Sequence, residues 1–97
     1  MIFVEDAMKT RIAVISIIVE NSSSIETLNS ILFSCRKYVI GRMGIPYREK
    51  NVNLISIAID APETVINAVT GKIGKLDGIS AKTNYSNVIT EVPDVDE

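Results

Sequence analysis

The stretch RIAVISIIVE occupies residues 11–20 and is the most strongly patterned part of the sequence. It is rich in Ile and Val, which favour β-structure, and it is far shorter than the ~20 apolar residues of a membrane-crossing helix, so it predicts a buried strand. A second stretch, VNLISIAID at residues 52–60, repeats the pattern. Both are apolar at odd and even positions alike, whereas a strand with one solvated face alternates apolar and polar residues. They therefore predict a sheet that is apolar on both faces.

Two helices are predicted next to these strands. Ser23 with Glu26, and Asp60 with Glu63, have the spacing of a capping box, in which each side chain satisfies a free backbone N–H group near its partner. After each box, apolar side chains recur at steps of three and four residues, which predicts one buried stripe per helix. The stripes consist of Ile25, Leu28, Ile31, Leu32 and Cys35 in the first helix and of Val65, Ile66, Val69, Ile73 and Leu76 in the second.

The order of these elements predicts the fold. Strands are predicted at residues 11–20, 38–44, 52–60 and 78–85, and helices at 23–36 and 62–76, with Gly44-Ile45-Pro46 ending the second strand. This order matches the split βαβ plan of a ferredoxin-like α+β fold. We therefore expect a four-stranded antiparallel sheet with two helices on one face. The domain is expected to span residues 9–85, between an N-terminal extension at 1–8, in which Met8 is a candidate start, and an acidic tail at 86–97.

The composition excludes several classes of protein. The chain has 97 residues, no histidine, one cysteine and a formal net charge of -2. Without histidine we expect no zinc, nickel or copper site and no histidine base, and no P-loop or Gly-x-Ser-x-Gly elbow is present, so no metal or cofactor is predicted. The negative net charge does not favour binding to nucleic acid, and no apolar stretch is long enough to cross a membrane. The missing secretory signal and the single cysteine favour the cytoplasm.

One set of apolar residues has no partner in this fold. It lies on the first and third strands, on the face of the sheet opposite the helices. A large exposed apolar patch is rare on a monomer, so we expect the chain to self-associate through this face, as a dimer or a tetramer. Ser16 and Ser56 lie in the same stripe, and their small side chains would allow close contact between facing sheets. The predicted interface consists of Ile12, Val14, Ile18, Val52 and Leu54.

Two segments resemble a known family. RMGIPYRE at residues 42–49 and AVTGKIGKLDGI at residues 68–79 resemble the iron-only hydrogenase system regulators, small ACT-like domains related in fold to the C-terminal domain of the nickel-responsive regulator. The resemblance spans about residues 9–85. Its specific part is the spacing of Arg42, Gly44, Pro46, Arg48 and Glu49, followed by Gly71, Lys72, Gly74 and Gly78.

The resemblance implies an oligomeric, non-enzymatic regulatory domain from a bacterium with iron-only hydrogenase genes. Such a domain would act by sensing a small ligand or by binding a protein partner. The chain differs from the nickel-responsive regulator because it has no N-terminal ribbon-helix-helix segment and no histidine to hold nickel. Neither the DNA contact nor the metal of that regulator is therefore expected in this domain.

Two short segments are candidates for binding a ligand. Asn21, Ser22 and Ser23 occupy the loop between the first strand and the first helix, where amino-acid-binding ACT domains commonly have an Asp-x-Pro-Gly-like turn that this chain lacks. The second segment is Gly71-Lys72-Ile73-Gly74. Glycine inside a helix costs ~1 kcal/mol relative to alanine, so these glycines predict close packing or the approach of a small ligand or anion. A KH-type Gly-x-x-Gly loop is disfavoured, because no helix follows this segment.

Arg42 and Arg48 support an alternative function. Around the second and third strands they predict either a solvated hairpin or a contact with an anion or a partner. The alternative is thus a small anion-binding domain or an acylphosphatase-like enzyme that uses Arg42 or Arg48, although the glycine-rich loop of that enzyme is missing before the first helix. An RNA-recognition motif is disfavoured because the first and third strands lack aromatic residues for base stacking. Cys35 is expected to be an inert thiol on the core side of its helix.

Overall fold

A computed structural model describes residues 9–91, and the predictions for residues 1–8 and 92–97, Met8 included, lie outside this range. Short 3₁₀ turns at Ser22–Ser24 and Arg36–Tyr38 flank the first helix. The main elements are β1 (Lys9–Val19), α1 (Ile25–Ser34), β2 (Val39–Tyr47), β3 (Val52–Ala61), α2 (Glu63–Gly74) and β4 (Ile79–Glu91).

The four strands form one sheet in the order β2-β3-β1-β4, and all neighbouring strands are antiparallel. The two strongly patterned strands, β1 and β3, therefore lie in the centre, with Ile15 opposite Ile57. β1 and β4 continue as a pair to the end of the described chain, where Lys9 lies opposite Glu91. This topology confirms the ferredoxin-like α+β fold that the sequence predicts.

The core lies between the sheet and the two helices, which pack on the same face. Odd-numbered residues of β1 and β3 point toward the helices, because successive residues of a strand alternate between faces. The stripe prediction is confirmed: both helices bury their apolar side chains against these strands. The largest fully buried side chains of the core are Ile15, Ile17, Val19, Leu28, Ile57, Ile59, Ile66 and Ile73.

Both capping-box predictions are wrong. The side chain of Asn21, and not that of Ser23, caps the first turn, because its Oδ1 accepts a hydrogen bond from the Ser23 backbone N–H at 3.0 Å. Asp60 stays in β3, where the ladder pairs it with Ile12, and α2 begins only after Pro62. In both places another structure occupies the position of the predicted cap: a 3₁₀ turn before α1 and one further residue pair of the sheet before α2.

Two strands are longer than predicted. β2 continues through Pro46 to Tyr47, because it is an edge strand and proline is tolerated where one side of a strand has no partner. β4 reaches Glu91 and not residue 85, because after an irregularity it pairs again with the first residues of β1. Part of the predicted acidic tail therefore belongs to the sheet.

Candidate functional site

An apolar surface covers three strands on the face of the sheet opposite the helices; we call it the back face. Antiparallel pairing places Ile18, Leu54 and Ile45 side by side in one row across β1, β3 and β2. These three side chains are 41%, 41% and 48% exposed. Because a side chain of this kind gains ~25 cal/mol for each Å² of apolar surface removed from water, the row is a strong candidate contact surface.

The predicted interface residues all lie on the back face, and the structure adds others. Ile12, Val14, Ile18, Val52 and Leu54 occupy the even positions of β1 and β3, as the alternation predicts. Three residues of β2 that the sequence prediction does not include each lie beside a back-face residue of β3. Their alternation at every second position is a signal in the sequence, but Gly44-Ile45-Pro46 predicts the end of the strand and so hides it. The additional residues are Met43, Ile45 and Tyr47.

A shallow hollow of about 200 Å³ lies in the middle of the back face. Its floor contains Ser16 and Ser56, which face each other across β1 and β3. Larger apolar side chains surround the two serines, so the surface has both a depression and projecting side chains. The surrounding side chains are those of Ile18, Met43, Ile45 and Leu54. A surface with a depression and projecting apolar side chains is better suited to contact with a second apolar surface than to exposure to solvent.

The fourth strand limits the apolar surface. On the back face, β4 places Ser80 beside Ile18, Lys82 beside Ser16 and Asn84 beside Val14. All three β4 side chains are exposed and polar. The apolar surface therefore covers β1, β3 and β2 and has a hydrophilic border along β4, an arrangement typical of a protein interface with a polar rim.

The predicted ligand loop at residues 21–23 is tied to the turn that follows α2. Asn21 Oδ1 accepts hydrogen bonds from the backbone N–H and the hydroxyl of Ser23, at 3.0 and 2.8 Å, and its Nδ2 donates to Asp77 Oδ2 at 3.1 Å. The Ser24 hydroxyl donates to the Asp77 carbonyl at 2.7 Å. These bonds clasp two loops of the fold together, and Ser22 lies exposed beside them.

The other predicted ligand residues lie on the outer surface of α2. Gly71, Lys72 and Gly74 are exposed. A Cβ atom built on either glycine has no neighbour within 4 Å, so packing inside this chain does not require glycine at these positions. Binding of a ligand by this segment stays a prediction.

The family-motif residues of the segment 42–49 lie in separate parts of β2 and of the turn that follows it. Arg42 lies on the helix side of β2, opposite Ile57, and its Nη2 donates to Asn29 Oδ1 of α1 at 3.2 Å. Gly44 and Pro46 follow on the same side of β2. The last two residues lie in the exposed turn before β3, where the Tyr47 hydroxyl donates to the Glu49 carboxylate at 2.7 Å and this bond raises the pKa of Tyr47. Arg48 lies in the same turn, and the second half of β2 separates it from Arg42.

The single cysteine lies in the core. Cys35 is 3% exposed and its thiol donates to the Leu32 carbonyl, with Sγ 3.4 Å from the oxygen. Burial raises the pKa of the Cys35 thiol, because the charged thiolate is disfavoured away from water. The thiol is therefore protonated at neutral pH and is a poor nucleophile. Among the described side chains of residues 9–88, no group of three or more Asp, Glu, Cys or His residues is placed to hold a metal ion.

We expect the native chain to react with an aromatic disulfide reagent at least about tenfold more slowly than the chain unfolded in guanidinium chloride, because Cys35 must become exposed before its thiolate can form. The measurement is the absorbance of the released thiolate at pH 8, in buffer and in denaturant. Equal rates in the two solutions would contradict the burial of Cys35.

Neither helix in the described part of the chain has the length and apolar character that crossing a bilayer requires. The chain is similar in fold to a formyltetrahydrofolate deformylase from Pseudomonas putida KT2440, with a TM-score of 0.59 and 12% identity over 79% of this chain and 29% of that one. At this identity the likeness shows the fold alone. Among the curated proteins, none matches the sequence.

A nearer structural relative is protein TM1266 from Thermotoga maritima. It is 26% identical to this chain, with a TM-score of 0.75 over 78% of this chain and 96% of that one. The model of the TM1266-like family, described as an iron-only hydrogenase system regulator, matches residues 11–83. This range includes β1 from Arg11 onward, both helices, β2, β3 and the first five residues of β4. The chain therefore belongs to the TM1266-like family of iron-only hydrogenase system regulators.

Proposed function

We propose that the chain is a non-enzymatic regulatory domain of the iron-only hydrogenase system that works as a homo-oligomer joined through the back face. The observation that carries the proposal is the row Ile18, Leu54 and Ile45, in which each side chain is two-fifths exposed or more. The predicted dimer or tetramer would cover this row. Regulation would then pass through the assembled form, by binding of a small ligand or a protein partner.

The occupant that fits the back face best is a second copy of the same chain. Specific interfaces of ordinary size bury ~800 Å² on each partner and have an apolar centre with a polar rim, and the back face has this arrangement of apolar and polar residues. A two-fold axis that lies in the interface plane beside the hollow at Ser16 and Ser56 would place the projecting side chains of one copy over the depression of the other. The small serine side chains leave the space that this contact needs.

A non-enzymatic role is supported by the chemistry of the residues. The sequence has no histidine, the commonest general base, and its one thiol is buried in the core. Arg48, one of the two candidates for acylphosphatase-like chemistry, lies in an exposed turn beside a hollow of only about 60 Å³. The cytoplasmic location and the absence of direct DNA contact stay predictions.

The assembly is tested by sedimentation velocity. At tens of micromolar we expect the wild-type chain to sediment as a dimer or a tetramer, because leaving the back face in water forgoes ~25 cal/mol per Å² of apolar area. The mass is read from the sedimentation and diffusion coefficients together. A monomer at these concentrations would contradict the proposal.

The regulatory role is tested in a bacterium that carries this chain together with an iron-only hydrogenase. Deleting the gene is expected to change hydrogenase transcript levels or hydrogenase activity, and the wild-type gene on a plasmid is expected to restore them. Unchanged transcripts and unchanged activity in the deletion strain would overturn the regulatory role while leaving the self-association intact.

A further inference from the structure

A cleft of about 420 Å³ opens between α1 and the edge strand β2, on the helix side of the sheet. Its floor is apolar and consists of Leu32, Val39 and Ile57. Phe33 and Asn29 of α1 form one wall. This volume lies within the range of sites that enclose small organic molecules, which are mostly apolar with a few placed polar groups.

Two residues of β2, Val39 and Arg42, contribute to the lining of the cleft. On the side of β2 that faces the helices, Arg42 is followed by Gly44, which has no side chain, and then by Pro46. Among the described residues, no atom lies within 4 Å of a Cβ built on Gly44, so the strand is uncovered at that position. Ile57, opposite Arg42 in the sheet, is only 1% exposed and closes the floor.

Two arginines border this space. The Arg42 Nη2 donates to Asn29 Oδ1 at 3.2 Å, and the Arg36 Nη1 donates to the Phe33 carbonyl at 2.9 Å. The Arg36 guanidinium carbon also lies 3.8 Å from the centroid of the Phe33 ring, so the cation stacks on the aromatic face.

Neither cation is neutralised by a neighbour. Among the side chains that the structure describes, those of residues 9–88, the one ion pair closer than 4 Å joins Arg11 to Glu63, away from the cleft. Glu26, in the first turn of α1, forms no ion pair with Arg36 or Arg42. A guanidinium has five N–H donors, and each of these two uses one in the bonds described, so most donors remain for a ligand.

We propose that this cleft binds a small organic anion. The carboxylate or phosphate group of the ligand lies between Arg36 and Arg42, because the planar fork of a guanidinium matches the oxygens of these groups. The apolar or aromatic part of the ligand rests on Leu32, Val39 and Ile57. Asn29 is a positioning residue, since its Oδ1 holds the Arg42 guanidinium at the rim.

The site is independent of the proposed assembly. Arg42 points to the helix side of β2, whereas Met43 and Ile45, its neighbours along the strand, point to the back face. A ligand in the cleft therefore contacts the opposite side of the strand from a second copy. A loss of ligand binding and a loss of assembly can be measured separately.

The test uses isothermal titration calorimetry of the full chain with four probes: benzoate, phenyl phosphate, inorganic phosphate and benzyl alcohol. Benzoate or phenyl phosphate is expected to bind at least about tenfold more tightly than benzyl alcohol, which lacks the charge, and than inorganic phosphate, which lacks the apolar body. A carboxylate source is indicated if benzoate binds more tightly, and a phosphate source if phenyl phosphate does. Equal affinity for all four probes, or no heat with any at millimolar concentration, would overturn the proposal.

Matched variants locate the binding. Arg42→Gln and Arg36→Gln are each expected to weaken the better probe about tenfold or more, because each removes a charge-assisted hydrogen bond. Arg48→Gln, which removes the same charge from an exposed turn, is expected to change the affinity less than twofold. Arg42→Lys keeps the charge without the fork. Because Arg42 is exposed, this change leaves the core intact, and it is expected to weaken binding as well. Unchanged affinity in both glutamine variants would overturn the assignment to this cleft.

Discussion

The Leu54→Lys variant is expected to sediment as a monomer at concentrations where the wild-type chain is assembled. Leu54 stands in the middle of the row between Ile18 and Ile45. In the assembly, a lysine there would be removed from water without a partner, which typically costs about 3–5 kcal/mol and weakens association at least a hundredfold. In the free chain Leu54 is 41% exposed, so the lysine can reach solvent and the fold should be retained.

The matched control for this change is Ala68→Lys, which adds the same charge to the exposed surface of α2, on the other side of the molecule. This variant is expected to keep the wild-type mass in sedimentation velocity, and thermal unfolding of both variants checks that they fold. If the Leu54 variant kept its full oligomeric mass, the back face would not be the interface.

The Gly78→Ala variant is expected to lose about 2–5 kcal/mol of the free energy of unfolding, from the costs of a left-handed alanine and of an overpacked contact. Gly78 has a φ of 71°, a conformation that disfavours residues with a Cβ. An added Cβ would also overlap the Cβ of Asn21 and lie 3.0 Å from its backbone nitrogen. The clasp between the two loops would have to open, and its hydrogen bonds from Asn21 to Asp77 and from Ser24 would weaken.

Gly71→Ala is the matched control, because it makes the same change inside α2, where no atom lies within 4 Å of the added Cβ. We expect it to raise the free energy of unfolding by up to about 1 kcal/mol, since alanine favours the helix over glycine. Urea unfolding followed by circular dichroism measures both variants. Equal stabilities for the two alanine variants would contradict the tight contact at Gly78.

The fold could be predicted because its central elements carry strong local patterns. β1 and β3 are dense in Ile and Val, and the helices show unbroken stripes, so both the type and the order of the elements follow from the sequence. The end of β2 could not be predicted in the same way. Whether Pro46 ends a strand depends on whether that strand lies at an edge of the sheet, and edge position is a property of the topology and not of the local sequence.

The candidate sites, too, can be predicted only in part from the sequence. The back-face residues of β1 and β3 follow from alternation alone, and all five predicted residues lie where expected. The cleft could not be predicted, because Arg36 and Arg42 become neighbours only when β2 folds back along α1, and Asn29 comes from a helix position with no distinctive signal. The sequence indicates Arg42 as a contact for an anion, but the other residues of the cleft can be assigned only from the three-dimensional structure.

The pairing of Lys9 with Glu91 has a consequence for how such a domain can be combined with others. Adjacent strands lie about 4.8 Å apart, so the chain enters and leaves the domain at nearly one point. A gene fragment that encodes residues 9–91 could therefore be inserted into a loop of a host protein without forcing that loop apart. The same closeness suits circular permutation: a short peptide could join the two ends, and the chain could be opened in the exposed turn at residues 48–51.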